Sequence, residues 1–502
     1  MLYESTRGQY QRKVSSAEAI KMGIAPDGGL FVPVKIPFFT GGKMREMAAL
    51  DYREKAVCIL KAFLSDFTEE EIRECVAQAY SPEIFDAPEV APVRKPDDAL
   101  HFLELWHGPT CAFKDLALQL LPHLLTKAAV KTGEKASIVI LVATSGDTGK
   151  AALEGFKDVP GTKIIVFYPA RGVSEVQKYQ MITQEGANVA VVAVRGNFDD
   201  AQNGVKNIFS NAEFNRLLQK KHCRLSSANS INWGRLAPQI VYYFSAYLDL
   251  AAKGALTPGE KINFVVPTGN FGNILAAFYA REMGLPVNRL ICAANVNNVL
   301  TDFIRTGVYD RVREFHRTIS PSMDILISSN LERLLYHLSG RDHARIREWM
   351  TALNQSGVYR VDAGTRARIG EIFWSGYADD DETLTTINSL NRRCGYVVDT
   401  HTAVGVRVYE KYTAATGDGA KTVIVSTASP FKFNESVARA VLGEDAVKGK
   451  NEFRLLEKLA AATGLEIPAG LKDLDKKPAR HRKTVDRNQM TAAVEDILLR
   501  SI

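Results

Sequence analysis

Short apolar runs alternate with amphipathic stretches through most of the chain after about residue 100. Runs rich in Ile, Val and Leu, each of strand length, predict six β-strands at 137–142, 163–168, 188–194, 261–266, 289–294 and 422–426. Polar turns and helical patterns follow several of these runs, which is typical of βα units in mainly parallel sheets. The pattern therefore predicts an α/β fold whose ligands bind where loops leave the carboxyl ends of strands.

The two ends of the chain follow a different pattern. Helical periodicity at 52–64 and 69–80, followed by a proline-rich segment at 82–96, predicts a separate N-terminal unit. The tail from about residue 446 has helical patterns at both of its ends, with a basic loop between them.

The composition is that of a globular protein. The chain has 502 residues, of which 46% are hydrophobic and 24% charged. No apolar run approaches the roughly 20 residues that cross a bilayer, and the first residues carry no apolar core, so we expect neither a membrane span nor a secretion signal. The six cysteines are scattered without a CxxC pair, which favours free thiols in a reducing cytoplasm. No histidine cluster predicts a metal site.

The net charge of +6 is concentrated near the C-terminus. The basic residues there are Lys476, Lys477, Arg480, Arg482, Lys483 and Arg487, with Asp486 among them. Such a cluster can bind nucleic acid, but no aromatic residues are interleaved to stack on bases. We therefore expect a solvated basic loop and no nucleic-acid partner.

Two of the loops that follow strands are suited to anions. The PTGNFGN motif at 267–273 enters a helix, and Gly269 and Gly272 let the backbone approach a ligand. Free N–H groups at such a helix start bind phosphate, although a plain βα turn has the same local pattern. The ATSGDTGKAA motif at 143–152 is not a nucleotide P-loop, which needs Gly at 144 and Ser or Thr at 151, where the chain has Thr144 and Ala151. Its hydroxyls and N–H groups suit an anion such as a carboxylate.

Three further segments carry candidate side chains. Lys114 in HGPTCAFKD begins a helical pattern; most lysines are surface residues, but an apolar setting lowers the pKa of such an amine and lets it form a Schiff base. In SANSINWGR at 227–235, Arg235 is well shaped for phosphate or carboxylate, whereas Asn232 equally fits a helix cap. Thr427 in STASPFKF suits a ring nitrogen or a helix N-cap. His401 is expected to be a packed histidine, and no GxSxG motif predicts a serine hydrolase.

Taken in their order along the chain, the motifs resemble those of the threonine synthase family. Its members are pyridoxal-phosphate (PLP) enzymes of fold type II related to tryptophan synthase β. The resemblance covers essentially the whole chain, including STRGQ and VSSAEAIKMGIAPDGGLFVP near the start. SPSMDILISSNLERLLYHLSG at 320–340 and DTHTAVG at 399–405 are similar to the longer members.

The resemblance implies parallel-sheet large and small domains plus an N-terminal domain. The expected parts are an N-terminal domain at 1–98, a large PLP-binding domain at 99–130 and 222–445, a small substrate-contacting domain at 131–221, and a C-terminal helical extension at 446–502. We expect the extension to pack on the large domain. The oligomeric state stays open between monomer and homodimer.

The resemblance also implies roles for individual residues. Lys114 matches the lysine that holds PLP as a Schiff base and serves as catalytic base, and Thr427 matches the hydroxyl beside the pyridine nitrogen. The loop that holds the cofactor phosphate matches Gly269, Asn270, Phe271, Gly272 and Asn273. The substrate-binding positions are Thr144, Ser145 and Thr148 in one turn, and Asn229, Ser230 and Arg235 around the substrate phosphate.

One position departs from many relatives. As in some longer threonine synthases, Asp147 stands where many relatives have an asparagine whose amide faces the phenolic oxygen of PLP. A carboxylate would repel a phenolate there unless a proton is shared. We therefore count Asp147 among the cofactor-binding residues and leave its protonation open.

The implied activity is the conversion of O-phospho-L-homoserine and water to L-threonine and phosphate, the last step of threonine biosynthesis. The alternative within PLP chemistry is a phospholyase that releases phosphate, ammonia and 2-oxobutyrate, since the motifs of the two overlap. The alternative from another class is a non-catalytic binding protein, which would lack the near-visible absorption of bound PLP.

Overall fold

The computed structural model describes residues 1–97, 100–144 and 146–499. The expected domain boundary between residues 98 and 99 lies outside these described residues, and so does the candidate Ser145. Within the three ranges, no helix is both long and apolar enough to cross a membrane.

The N-terminal part is mainly helical. Its elements are β1 (Tyr3–Ser5), α1 (Ser16–Met22), β2 (Phe31–Pro33), α2 (Gly41–Ala48), α3 (Tyr52–Phe63) and α4 (Glu69–Ala79). β1 and β2 pair antiparallel, and the side chains of Ser15 and Thr68 begin α1 and α4 in capping boxes. The helices predicted at 52–64 and 69–80 are confirmed as α3 and α4.

Alternating strands and helices follow. The first are β3 (Val93–Arg94), β4 (His101–Glu104), α5 (Asp115–Leu118) and α6 (Leu121–Lys131). The next run is β5 (Ser137–Ala143), α7 (Asp147–Phe156), β6 (Thr162–Pro169), α8 (Glu175–Ile182), β7 (Val189–Arg195), α9 (Phe198–Ser210), α10 (Ala212–Lys220) and β8 (Cys223–Ser226). Strands β5 to β8 form one parallel sheet in the order β7-β6-β5-β8, which is the core of a small domain.

The chain then completes a larger domain. Its helices are α11 (Trp233–Ala252), α12 (Gly272–Glu282), α13 (Val299–Thr306), α14 (Leu331–Leu338), α15 (His343–Gln355), α16 (Ala363–Ile372), α17 (Asp380–Cys394), α18 (Thr400–Thr416), α19 (Asn434–Leu442) and α20 (Glu444–Val447). Its strands are β9 (Ile262–Pro267), β10 (Val287–Ala294), β11 (Val308–Asp310), β12 (Val358–Arg360), β13 (Phe373–Tyr377) and β14 (Thr422–Ser426). The large sheet has the order β13-β10-β9-β14-β4-β3 and is parallel except for β3.

All six strands predicted from the apolar runs are confirmed, with ends within two residues of the prediction. Central strands such as β9 and β14 are buried along their whole length, because helices cover both faces of the sheet. Strands β8 and β13 were not predicted, since CRLS and FWSGY mix polar residues or glycine into short runs.

The tail corrects one expectation. Its elements are α21 (Glu452–Thr463), β15 (Thr484–Asp486) and α22 (Met490–Leu499). Helix α21 packs against α19 of the large domain as expected, and Leu471 and Leu474 join the core of that domain. By contrast, β15 adds a parallel strand beside β7, and α22 packs on α9 of the small domain. Val485 and Val494 are buried there, so the small domain's core includes the end of the chain.

The basic segment of the tail, residues 476–487, contacts the rest of the protein and is not a free loop. Arg480 pairs with Glu185 at 3.0 Å and Lys483 with Asp496 at 2.6 Å. The backbone N–H of Arg480 donates to Ile182 O at 2.8 Å. The two contacts of Arg480 join the segment to residues of the small domain that lie far away in sequence, and the contact of Lys483 joins it to α22.

We predict that Val485→Asp destabilises the small domain. The change places a carboxylate in an apolar core and removes a buried side chain, which costs about 2 kcal/mol or more. Urea unfolding of the variant measures the loss. Thr484→Asp, on the exposed side of the same strand, is the matched control and should change the free energy of unfolding by less than about 0.5 kcal/mol. Equal effects of the two changes would contradict the placement of β15.

Candidate active site

Loops from the carboxyl ends of four parallel strands meet between the two sheets. They follow β4, β9 and β14 of the large sheet and β5 of the small one. The loops after β4 and β14 are joined by two backbone hydrogen bonds, from Phe113 N to Thr427 O (2.8 Å) and from Ser429 N to Cys111 O (3.1 Å). Open α/β sheets bind ligands at this edge.

Lys114 stands directly before α5, with its amine buried between the domains. Its Nζ donates to Asp147 Oδ2 at 3.2 Å and to Ser322 Oγ at 3.4 Å. Burial lowers the pKa of Lys114; Asp147 acts in the opposite direction, whereas the charges of Lys432 and Arg235 add to the lowering. An amine with a lowered pKa is both a nucleophile and a proton acceptor near neutral pH.

Asp147 is the first residue of α7 and uses both carboxylate oxygens. Oδ1 accepts from Gln177 Nε2 at 2.8 Å and lies 3.3 Å from Lys432 Nζ. Oδ2 accepts from Lys114 and, at 3.1 Å, from Ser322 Oγ. Burial acts to raise the pKa of Asp147, but the neighbouring charges of Lys432 and Lys114 outweigh it and hold that pKa well below its usual range. The group is therefore an ionised carboxylate in this structure.

Lys432 was not among the candidates from the sequence. It lies in the turn after β14, five positions beyond Thr427, and its side chain is fully buried. Its Nζ donates to Thr110 O and to Gln180 Oε1, both at 2.8 Å, besides its contact with Asp147. Lys432 is part of the STASPFKF motif, in which the sequence indicated only the hydroxyl of Thr427 as a candidate.

Ser322 and His401 form a second group that sequence reasoning missed. The backbone N–H of Ser322 donates to His401 Nε2 at 3.0 Å, and His401 Nδ1 lies 2.8 Å from Asp399 Oδ2. His401 is buried, as expected of a packed histidine, yet it holds the segment whose Ser322 hydroxyl lies between Lys114 and Asp147. Its function is therefore to position that segment.

The start of α12 has donors without partners. Phe271 adopts the left-handed conformation (φ 62°), and no described side chain caps the first turn. Asn273 Oδ1 accepts from two tyrosine hydroxyls at 2.6 Å each, and its buried Nδ2 has no acceptor in the described part of the chain. A Cβ on Gly269 would lie 2.5 Å from Ser322 O, so the loop there requires glycine. Gly272, the first residue of α12, is buried.

Asn330 connects this loop to the Arg235 segment. Its Nδ2 donates to Asn270 O at 3.1 Å and to Ser230 Oγ at 3.3 Å. Arg235, in the first turn of α11, is buried and donates to Ala228 O at 2.8 Å, but its Nε has no acceptor and no carboxylate pairs with it among the described residues. Burial lowers its pKa to about 10. A buried guanidinium without a counter-ion is a site for an anion.

The remaining candidate residues make fewer contacts with the other residues of the site. The Thr144 hydroxyl accepts from Gly146 N and Gly149 N at 3.0 Å each, so it shapes its own turn. Thr148 is half-buried and Asn229 is exposed. Substrate contacts of these residues stay predictions.

Comparisons with known proteins agree with this geometry. Sequence profiles described as "Threonine synthase N terminus", "Pyridoxal-phosphate dependent enzyme" and "Threonine synthase, C-terminal" match residues 2–80, 84–367 and 402–497. "Threonine synthase" of Pseudomonas aeruginosa is 40% identical over 445 residues, which cover 88% of this chain and 91% of that protein. The chain belongs to the threonine synthase family.

Solved structures of family members have the same fold. The crystal structure of PLP-bound threonine synthase from Brucella melitensis matches with a TM-score of 0.88 and 37% identity, covering 100% of this chain and 99% of that one. Threonine synthase from yeast matches with a TM-score of 0.87 and 33% identity over 99% of both chains. Human "Threonine synthase-like 1" is 40% identical over 86% of this chain, which spans only 59% of that relative's length. The fold-type-II expectation is confirmed.

The residues present fit the PLP on which this family depends. A buried amine is available for the aldehyde at Lys114, and the uncapped start of α12 offers N–H groups for the phosphate. The unpartnered Nδ2 of Asn273 points to a missing acceptor at the same place. No buried carboxylate other than Asp147 contacts the Lys114 amine in the described ranges.

His107 supports the loop that carries Lys114. Its Nδ1 lies 2.6 Å from Asp86 Oδ1, and its Nε2 lies 2.9 Å from Glu104 Oε2. Burial acts to lower the pKa of His107, but its hydrogen bonds to Asp86 and Glu104 outweigh burial and raise the pKa to about 9. The protonated ring therefore joins the end of β4 to the proline-rich linker.

We predict that this contact makes stability fall on the alkaline side. The folded-state pKa of His107 lies above its unfolded value of about 6.5, so its contribution is complete below pH ~6.5 and is lost as the pH rises through about 9. Urea unfolding between pH 7 and 9.5 should show a declining free energy that is shallower in His107→Gln. Equal slopes in the two proteins would contradict the assignment.

Proposed function

We propose that this chain is a threonine synthase, which converts O-phospho-L-homoserine and water to L-threonine and phosphate. One observation carries the proposal: a buried amine, Lys114, is near two candidate anion sites, since Ser322 contacts both this amine and the loop before α12, and the charge of Arg235 acts on the amine. A reaction in which cofactor and substrate each bear a phosphate needs two such sites. Five loop motifs of the family, each after a strand, occur in order along the chain.

The residues divide between cofactor and substrate. Lys114 would hold PLP by its aldehyde, residues 269–273 would hold its phosphate, and Thr427 would lie beside the ring nitrogen. PLP, when bound, supplies an electron sink for negative charge that develops at Cα and Cβ of the substrate. The turn of Thr144, Ser145 and Thr148 would bind the substrate carboxylate.

The side chains of this protein handle protons and the leaving group. The Lys114 amine, with its lowered pKa, accepts the Cα proton. Arg235 and Ser230 bind the substrate phosphate, and Arg235 stabilises the charge that grows on it as the Cγ–O bond breaks and the bond's electron pair leaves with phosphate. One Cβ proton is also removed and ends on the departing phosphate, water supplies a hydroxyl to Cβ and a proton to Cγ, and the Cα proton is returned. Threonine and phosphate together then contain all atoms of the substrate plus one water.

Contacts between the domains exclude solvent from these steps. Asp147 of the small domain contacts Lys114 and Lys432 of the large domain, and Gln180 of the small domain contacts Lys432. Opening of the small domain would break these contacts and admit substrate.

We also propose a reducing compartment, such as the cytoplasm. All six cysteines are free thiols, and Cys75, Cys111, Cys223 and Cys292 are buried. Such thiols persist where disulfide formation is not favoured.

We predict that Lys114→Ala loses the near-visible absorption of protein-bound PLP and at least about 1,000-fold in turnover, because attachment and proton transfer both need the amine. Lys178→Ala, which changes an exposed lysine on α8, is the control and should keep both. Threonine formation by Lys114→Ala would contradict the assignment.

We predict that Arg235→Gln weakens binding of inorganic phosphate to the holoenzyme by about 10- to 100-fold, since charge-assisted hydrogen bonds to a phosphate are lost. Calorimetric titration measures this affinity. Arg224→Gln, which removes an exposed pair with Glu134, should leave it unchanged. Loss of PLP with retained phosphate affinity would place Arg235 at the cofactor instead.

Product analysis separates the two PLP activities. The holoenzyme, given O-phospho-L-homoserine, should release phosphate and threonine in equal amounts. Phosphate accompanied by 2-oxobutyrate and ammonia would identify a phospholyase, and absence of phosphate from a coloured enzyme would refute the substrate.

A further inference from the structure

Lys432 is a buried cation that the proposed reaction leaves without a role. Its side chain has no exposed surface, and it lies in the turn after β14 of the large domain. An ammonium has three N–H donors, and three acceptors surround this one: Thr110 O, Gln180 Oε1 and Asp147 Oδ1. Every donor of this amine is therefore engaged by an acceptor that the fold holds in place.

The acceptors of Lys432 lie on both sides of the cleft. Thr110 belongs to the loop of Lys114 in the large domain, whereas Gln180 is on α8 and Asp147 begins α7 in the small domain. Gln177, one turn before Gln180 on α8, donates to the same carboxylate oxygen at 2.8 Å. The carboxylate plane is thereby fixed from one side, and Oδ2 faces the Lys114 amine at 3.2 Å.

Attachment of the cofactor to Lys114 changes the charged groups that surround the carboxylate of Asp147. Lys114 contacts this carboxylate in the structure, but when PLP is attached its nitrogen belongs to the Schiff base and is a cation only while that nitrogen is protonated. Lys432 is the cation whose contact with Asp147 does not depend on that proton, and His401 acts on Asp147 only from a greater distance. A buried carboxylate without a cation takes up a proton.

Other titratable groups around Lys432 do not replace it. Asp115 accepts two hydrogen bonds from Thr110, and burial raises its pKa to about 6. Lys150 pairs with Glu154 at 2.7 Å. Burial raises the pKa of the Cys111 thiol to about 12, so it is neutral.

We propose that Lys432 is a positioning residue that keeps Asp147 ionised and turned toward the reacting nitrogen of Lys114, so that Asp147 acts there only as a hydrogen-bond acceptor. This inference rests on the proposed function, because it assumes that Lys114 carries the cofactor. An asparagine amide at this position would donate a hydrogen bond. The carboxylate instead stabilises a proton on the reacting nitrogen or on the neighbouring phenolic oxygen.

The test is the pH dependence of the near-visible spectrum of the holoenzyme. Lys432→Gln keeps hydrogen-bonding capacity but removes the charge, and should move the midpoint of the spectral transition by about 1–3 pH units as Asp147 takes up a proton. Lys432→Arg should keep the wild-type profile. Lys476→Gln, an exposed lysine, is the control for loss of any positive charge.

A double variant separates positioning from a merely structural role. In Asp147→Asn, the added change Lys432→Gln should leave the spectral midpoint where Asp147→Asn alone puts it. A shift of equal size with and without Asp147 would contradict the proposal, and so would a wild-type profile in Lys432→Gln with the absorption band present. Absence of the band in the unaltered protein would instead contradict the proposed function.

If Lys432→Gln does not fold, the variant Gln180→Glu tests the same proposal. Gln180→Glu keeps the lysine and places a competing carboxylate beside its ammonium. It should shift the midpoint in the same direction as loss of Lys432. An unshifted midpoint in Gln180→Glu would overturn the proposal.

Discussion

A single buried carboxylate sets the relation between the two domains. Asp147 opens α7 in the small domain, and ionisation at such a depth needs cations and hydrogen-bond donors around it. The cations come from the large domain, as Lys114 and Lys432, while Gln177 donates from the small one. Because these partners lie on different sheets, the domains must close on each other to satisfy the charge, and the closed arrangement brings the carboxyl ends of both sheets together.

The N-terminal part and the C-terminal tail contact residues that surround this site. Arg333 is fully buried and donates to Phe31 O of the N-terminal part at 3.0 Å and to Asn330 Oδ1 at 2.6 Å. Asn330 in turn donates to Asn270 O in the loop before α12. At the other side, Gln180 Nε2 donates to Gly470 O of the tail at 3.2 Å. The N-terminal part is thus linked to the loop before α12 through two side chains, and the tail is linked to Lys432 through one, that of Gln180.

The sequence predicted what local patterns encode. The six apolar strands, helices α3 and α4 of the N-terminal part and the loops at strand ends follow from periodicity and turn chemistry, and Lys114 stands at the start of a helix as its motif indicated. The sequence did not predict a role for Lys432, because that role depends on contact with Asp147, which is far away in the chain and is brought close only by the fold. The tail was misplaced for the same reason: nothing in residues 484–486 specifies β7 as their neighbour, and the complementary edge of the small sheet is far away in the chain.

The roles of Lys114 and Lys432 depend on which of these two buried lysines is attached to the cofactor. Lys114 and Lys432 both lie within 3.3 Å of Asp147, but only Lys114 has donors that are not all taken up by fixed acceptors. Reduction of the PLP-loaded protein with borohydride makes the link permanent, and peptide mapping by mass spectrometry then locates it. The structure predicts the label on Lys114 alone; a label on Lys432 would contradict the roles given to both lysines.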